Sequence, residues 1–199
     1  KGGMMAVGIP EYRLPKEELE KEISVIEKLG VIIKTSVEFG KDITIESLKK
    51  DGFNSVFIAI GLHGSRGLGV KGEDMKGVLK GTEFLRSAAL GTAGKLTGKV
   101  VVIGGGNVAV DVALTARRLG SQDVTMVCLE KRDEMPAWDY EIEEALEEKV
   151  KIVNSLGPMK FHGVDGVANE VEFMKCTSVF NEDGRFSPKY DECSLISME

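Results

Sequence analysis

Cysteine is scarce in this sequence. The 199 residues hold three, Cys128, Cys176 and Cys193, odd in number and widely spaced, a pattern that offers neither a disulfide framework nor a thiolate cage for a metal. No CxxC redox pair occurs, and a reducing, cytoplasmic setting is the expectation. Long apolar runs are lacking as well. None nears the ~20 residues that cross a bilayer, so no membrane partner is expected. Positive charge is in deficit, with 26 basic residues against 32 acidic and a net charge of −6. That balance argues against nucleic acid, because phosphate binding wants clustered cations. The two histidines, His63 and His162, are isolated in the sequence and are not expected to bind metal or shuttle protons. What the chain has in plenty is glycine, 24 residues against five prolines, which points to backbone that turns tightly or approaches a ligand closely. Hydrophobic residues at 42% and charged residues at 29% describe a globular chain of one large domain or two small ones.

The patterning divides into three stretches. Near the start, Pro15 suits a first helical position, Glu17 and Glu18 suit the positive end of the dipole, and Leu19, Ile23, Ile26 and Leu29 recur at helical spacing until Gly30 closes the helix. Val31–Val37 is β-branched and predicts a short strand, Ile43–Lys50 a small helix, and Asp51-Gly52 a turn. Val56–Gly61, apolar on both alternations, predicts a strand buried on two faces. From His63 to Gly98 periodicity fades into a connector, with one helix around Thr82–Leu90.

A cleaner pattern then begins. Strands at Val100–Ile103, Val124–Leu129 and Val150–Asn154 alternate with helices at Asn107–Leu119 and Trp138–Glu148, which predicts parallel strands with crossover helices. The helices rest on apolar stripes through Val108, Val112, Thr115 and Leu119, and through Trp138, Ile142, Ala145 and Leu146. Short β-like runs at Met159–His162, Val171–Val179 and Ser194–Met198 predict an antiparallel appendage. The fold class is therefore α/β, a Rossmann-like domain made of a parallel sheet with an antiparallel addition.

Chemistry concentrates where the first parallel strand meets its helix. Gly104-Gly105-Gly106-Asn107-Val108-Ala109 reads as G-x-G-x-x-A, following a buried strand and opening a helix. Gly104 permits the tight turn, Gly106 lets backbone approach a pyrophosphate, and Ala109 still allows close helix-to-strand packing. Free amides and the dipole at the helix start attract the anion. A flexible structural turn is the plain alternative, but the flanking strand, helix and second strand favour dinucleotide binding. That second strand leads to Glu130, about 20 residues beyond the loop, where a carboxylate accepts the adenosine ribose hydroxyls and opposes the extra phosphate of NADP. Lys131 and Arg132 pull the other way, since neighbouring cations can hold that phosphate. A solvated loop is the plain reading of all three, and NAD is read ahead of NADP.

The ordered set Gly2-Gly3-Met4, Gly8-Ile9-Pro10-Glu11-Tyr12-Arg13-Leu14-Pro15, Phe57-Ile58-Ala59-Ile60-Gly61, Gly104–Ala109 and Glu134-Met135-Pro136-Ala137 resembles the glutamate synthase small-subunit-like flavoproteins. That group includes the flavin half of dihydropyrimidine dehydrogenase. The resemblance covers nearly the whole chain. It implies that residues 1–95 are part of an FAD-binding domain plus connector, and that 96–199 are an inserted NAD(P)-binding domain. It implies electron transfer between NAD(P)H and FAD and onward to iron-sulfur centres in a partner domain or subunit. By position it matches Met4, Arg13 and Val37 to FAD contacts, and Gly105, Gly106, Asn107 and Val108 to nicotinamide dinucleotide contacts. Family members that prefer NADP carry a basic pair where this chain has Leu129-Glu130, a departure that supports NAD. Ala109 in place of a third glycine is common among NADP binders and argues the reverse. The FAD fingerprint, a later glycine-aspartate segment and the cysteine-rich cluster domain of the family are not found in the stretch. It is therefore expected to be an internal piece that binds NAD(H), holds FAD poorly and does not turn over alone.

Other residues have plainer readings. Arg13 is matched equally by a surface position, and Met4 and Met5 by core filling. Cys128 is expected to be buried and inert. The acids Glu141, Glu143, Glu144, Glu147 and Glu148 read as a solvated helix face, Asp111 as loop-orienting or solvent-facing, and Trp138 as a packing anchor ahead of an adenine stack. No side chain is named as a catalytic acid or base, because nicotinamide and flavin carry the chemistry of hydride transfer. A non-catalytic nucleotide-binding module with the same fold is the alternative function.

Overall fold

The computed structural model describes residues 1–199 and divides them into two compact units, Lys1–Gly64 and Ser65–Glu199. The division falls about thirty residues before the boundary expected near residue 95, because the stretch between them packs into the second unit.

In the first unit, helix α1 (Gly3–Val7) precedes α2 (Lys16–Lys28) and α3 (Ile45–Lys50). The first of these has no counterpart in the periodicity, being too short to repeat. α2 begins after Pro15, and α3 is held by a reciprocal cap in which Thr44 Oγ1 accepts from the Ser47 amide and Ser47 Oγ accepts from the Thr44 amide. Of the predicted α2 stripe only Leu19 is buried, its Cδ2 against the backbone at Gly2, while Leu29 is 80% exposed. A five-residue helix is too small to cover the rest of that stripe. The two predicted strands do not form. Val31–Val37 and Val56–Gly61 are irregular and exposed, Phe57 at 92%. β-branched composition supplies a preference for extended backbone, but a strand exists only with a hydrogen-bonding neighbour. Met5, read as core filler, is half exposed.

The second unit is three layers deep. β1 (Lys99–Ile103), β2 (Asp123–Val127) and β3 (Lys151–Val153) form a parallel sheet in the order β1-β2-β3, with Lys99 opposite Asp123 and Thr125 opposite Lys151. Helices α4 (Gly81–Ala89), α5 (Asn107–Arg118) and α6 (Asp139–Glu147) cover one face. An antiparallel sheet of β4 (Leu156–Val164), β5 (Val167–Phe180) and β6 (Phe186–Met198) covers the other. The strands alternate accordingly. Val100, Val102, Val124 and Met126 pack against helix residues Val110, Ala113, Leu114 and Ile142, whereas Val101, Ile103, Val127 and Val153 pack against Leu156, Phe161 and Phe173. Burial on both faces is why these strands read as continuous apolar runs.

α5 corrects the predicted stripe. Its buried residues are Val110, Ala113, Leu114 and Ala116, and Val108 is 53% exposed. The helix touches β1, β2, α4 and α6, so it buries more than one side and its first turn faces outward. α6 starts one residue later than expected, leaving Trp138 as its cap at 64% exposure rather than as an anchor, and Leu146 half exposed. Among the acids of α6, Glu141 is buried, and Glu144 and Glu148 pair with Arg118. The region before α4 is not a free linker. The Phe161 amide donates to Lys71 O at 2.9 Å and the Ala168 amide to Lys76 O at 2.9 Å, laying that segment along the β4–β5 hairpin. His162 is not isolated in space, since its Nε2 lies 3.5 Å from Glu172 Oε2 on the neighbouring strand.

Candidate dinucleotide site

β1 runs straight into the glycine loop. Gly104 has φ +139°, a conformation that L side chains rarely adopt, yet its amide still donates to Val127 O at 2.8 Å and so extends the β1–β2 pairing by one residue. A Cβ there would lie 3.3 Å from Ala109 Cβ, so helix and turn are in close contact and the methyl of Ala109 fills that space. Gly106 caps α5 in an extended conformation, its carbonyl accepting from the amides of Ala109 and Val110 at 2.9 and 3.2 Å. The amides of Gly105, Gly106, Asn107 and Val108 stand outside these bonds. They gather at the positive end of a twelve-residue helix whose first turn carries no acid and whose last turn carries Arg117 and Arg118, an arrangement suited to an anion.

The three loop glycines meet different surroundings. At Gly105 a Cβ would lie 3.0 Å from both Cys128 Cβ and Glu130 Oε2. The Glu130 carboxylate therefore sits directly beside the loop. At Gly106 a Cβ would meet nothing closer than Pro136 Cγ at 3.8 Å. Protein packing does not require glycine at that position, and the space a Cβ would occupy leaves room for an anion to approach the backbone. The residues present fit such a group.

Glu130 lies three residues past β2, beyond the reach of sheet pairing. Its carbonyl accepts from the Ser155 amide at 3.0 Å and from Asn154 Nδ2 at 3.1 Å, while the Cys128 carbonyl accepts from the Leu156 amide at 2.9 Å. A third wall comes from the turn before α6, where the Ala137 amide donates to Gly105 O at 3.1 Å. Lys131 and Arg132, both exposed, face acids of their own segment, Lys131 Nζ at 3.4 Å from Glu134 and Arg132 Nη1 at 3.7 Å from Asp139. Cys128 is 2% exposed, and burial pushes its thiol up to about 11, with the nearby Glu130 charge adding to the effect. It is held protonated beneath the loop.

Gly104, Gly105, Gly106, Asn107, Ala109 and Glu130 are thus brought together, with Val108 at the rim. Met4, Arg13 and Val37 belong to the first unit. Met4 lies in α1 with its Sδ toward Gly8, the Arg13 guanidinium stacks 5.2 Å from the Tyr12 ring centroid, and Val37 is exposed on irregular backbone. No sheet forms there to gather them, and the three side chains lie on separate segments of the first unit. Sequence patterns alone miss the roles of Asn154, Ser155 and Ala137. Ala137 is visible there only as part of a motif, and a single asparagine ending a strand carries no signal.

Similarity to known proteins agrees with this geometry. Residues 4–181 match the pyridine nucleotide-disulphide oxidoreductase family. The NADPH-Fe(3+) oxidoreductase subunit beta of Geobacter sulfurreducens is 46% identical over 153 residues, covering 75% of this chain and 23% of that protein. The NAD-dependent dihydropyrimidine dehydrogenase subunit PreT of Escherichia coli O157:H7 is 39% identical over 163 residues, covering 81% and 39%. The glutamate synthase [NADPH] small chain of Halomonas elongata is 32% identical over 198 residues, covering 94% and 42%. The chain therefore spans well under half the length of these curated relatives. FprA, an oxidoreductase of Mycobacterium tuberculosis, superposes with a TM-score of 0.78 at 16% identity, covering 98% of this chain and 59% of that one, which shows a shared fold. With a strand, glycine loop and helix in the arrangement that holds a dinucleotide, and a family match over residues 4–181, the chain belongs to the pyridine nucleotide-disulphide oxidoreductases.

Proposed function

We propose that the second unit binds NAD(H), with the diphosphate on the amides of Gly105 to Val108 and the adenosine ribose on Glu130. The observation that carries this reading is the Glu130 carboxylate beside Gly105, within 3.0 Å of the place a Cβ would occupy. A carboxylate so close to the loop accepts ribose hydroxyls and repels a 2′-phosphate, each charged hydrogen bond contributing about 1.5–3 kcal/mol. The names of the relatives divide between the two cofactors, NADPH for two and NAD for one. NAD is favoured here because Lys131 and Arg132, the cations that a 2′-phosphate would use, already face Glu134 and Asp139.

For a whole protein of the relatives' length, we infer electron transfer between NAD(H) and FAD and onward to iron-sulfur centres of a partner domain or subunit. Residues 1–95 would then belong to an FAD-binding domain with its connector and 96–199 to the nicotinamide domain. Hydride exchange is chemistry that nicotinamide and flavin supply when bound. The residues of this chain bind and orient the dinucleotide, and no side chain is assigned as acid or base.

Calorimetric titration with NADH and NADPH tests the proposal. Micromolar binding of NADH that NADPH does not match supports it, and Glu130→Arg should reverse the preference. An unchanged affinity ratio in that variant removes Glu130 from the site. Absence of heat with either nucleotide favours a module that keeps the fold without the ligand.

A further inference from the structure

We propose that Asn154 is a positioning residue for Glu130 and so a determinant of the choice between NADH and NADPH, an inference that rests on the dinucleotide reading above. The Glu130 backbone lies outside the parallel sheet, so something other than strand pairing must hold its carboxylate beside Gly105. Two donors from consecutive residues do so. Asn154 Nδ2 donates to Glu130 O at 3.1 Å and also lies 3.2 Å from Cys128 Sγ, spanning the two residues whose atoms flank Gly105. The Ser155 amide donates to the same carbonyl at 3.0 Å.

The backbone bends at this point. Ser155 has φ +59°, in the left-handed region that few residues other than glycine adopt. The strained turn is fixed from its far side, where the Ser155 carbonyl accepts from the Cys176 amide of β5 at 2.8 Å. The antiparallel sheet is thereby connected through Ser155 to the carbonyl of Glu130, and Asn154 completes the link with its side chain. The effect of Asn154 falls chiefly on the group that reads the 2′ position, since the Gly104 amide bonds to Val127 O and the Gly106 carbonyl bonds to the amides of Ala109 and Val110 without it.

The experiment is titration of the 199-residue chain and its Asn154→Asp variant with NADH, NADPH and 2′-deoxy-NADH. Asn154→Asp keeps the shape, loses the donor and sets two acceptors face to face. NADH affinity should fall about tenfold, the effect of one lost hydrogen bond of ~1.4 kcal/mol. Binding of 2′-deoxy-NADH should change less than about twofold, and binding of NADPH should hold or rise as the carboxylate that repels its 2′-phosphate moves away, so both affinity ratios narrow. Asn154→Ala, which leaves the Ser155 bond without the repulsion, should act in the same direction with smaller size, and it serves if the aspartate variant does not fold by circular dichroism. Equal weakening of all three ligands, or no change in any, overturns the inference while leaving the site. Failure of the unaltered chain to bind either natural nucleotide overturns the dinucleotide reading and this inference with it.

Discussion

The main-chain amide of Ala137 donates to the carbonyl of Gly105 at 3.1 Å. This bond joins the turn before α6 to the middle of the glycine loop, so the loop is clamped from above by residues 136–137 and from below by Cys128 and Glu130. The packing is loosest at Gly106, where a Cβ would meet only Pro136 Cγ, at 3.8 Å. Under the dinucleotide reading proposed above, a loop held on two walls in advance loses less entropy on binding.

Gly105→Ala tests the lower wall. The new methyl would meet Cys128 Cβ and Glu130 Oε2 at 3.0 Å, and overpacking of this kind costs about 1–3 kcal/mol. Moving the Glu130 carboxylate relieves one contact, and the backbone must give to relieve the contact with Cys128. The expected result is a modest drop in melting temperature with a larger proportional loss of NADH affinity, read by thermal denaturation and titration.

Gly157 marks a second close approach, between the end of the parallel sheet and β6. A Cβ there would lie 2.7 Å from Leu129 Cδ2 and 2.8 Å from Tyr190 Oη. Gly157→Ala should destabilise the chain by about 1–3 kcal/mol in urea denaturation. Adding Tyr190→Ala should recover part of the loss, since neighbouring substitutions are not additive.

The two adjacent arginines at the end of α5 should differ in the opposite order to their ion pairs. Arg118 forms bridges to Glu144 and Glu148 at the surface, where such pairs contribute about 0–1 kcal/mol. Arg117 is half-buried and donates through Nε to Glu148 O at 2.8 Å and through Nη1 to Ser121 O at 2.9 Å. Those bonds cap the end of α6 and the turn after α5, and hydrogen bonds from a charged donor contribute about 1.5–3 kcal/mol. Arg117→Ala should therefore lower stability more than Arg118→Ala in parallel denaturant melts.

The cysteines give a pH test. In the folded chain the Cys128 thiol titrates near 11, above its ordinary value of 9.0, because burial disfavours the thiolate. Cys176 is shifted in the same direction by burial. The unfolded chain thus releases these protons first as pH rises, so the contribution of Cys128 is fully present below about pH 9 and is lost between about 9 and 11. Stability measured across that window should fall, and less steeply in Cys128→Ala. At pH 8 a thiol reagent should modify exposed Cys193 rapidly and the two buried cysteines only on unfolding.

Most of the second unit is legible from the local order of its residues. A strand, three glycines, a helix and a second strand lie within about thirty residues, and their apolar alternation records burial on two faces. The turn, the helix start and the carboxylate after the second strand therefore follow from spacing. The first unit is legible only in α2 and α3, which satisfy their own backbone and are long enough to show their limits, whereas the five-residue α1 is not. Val31–Val37 and Val56–Gly61 have the composition of strands but need hydrogen bonds from another segment, and that requirement is not written in their residues.

The sequence by itself determined the parallel layering, the glycine loop and the identity of the carboxylate at position 130. Tertiary structure alone decided what surrounds them: the bond from Ala137 to Gly105, the twin donors of Asn154 and Ser155 on Glu130, and the outward turn of Val108 and Trp138. The division has a physical cause. Helix and strand periodicity arises from contacts a few residues apart, whereas each of these hydrogen bonds joins segments 24–32 residues distant whose meeting depends on the packing of the three layers.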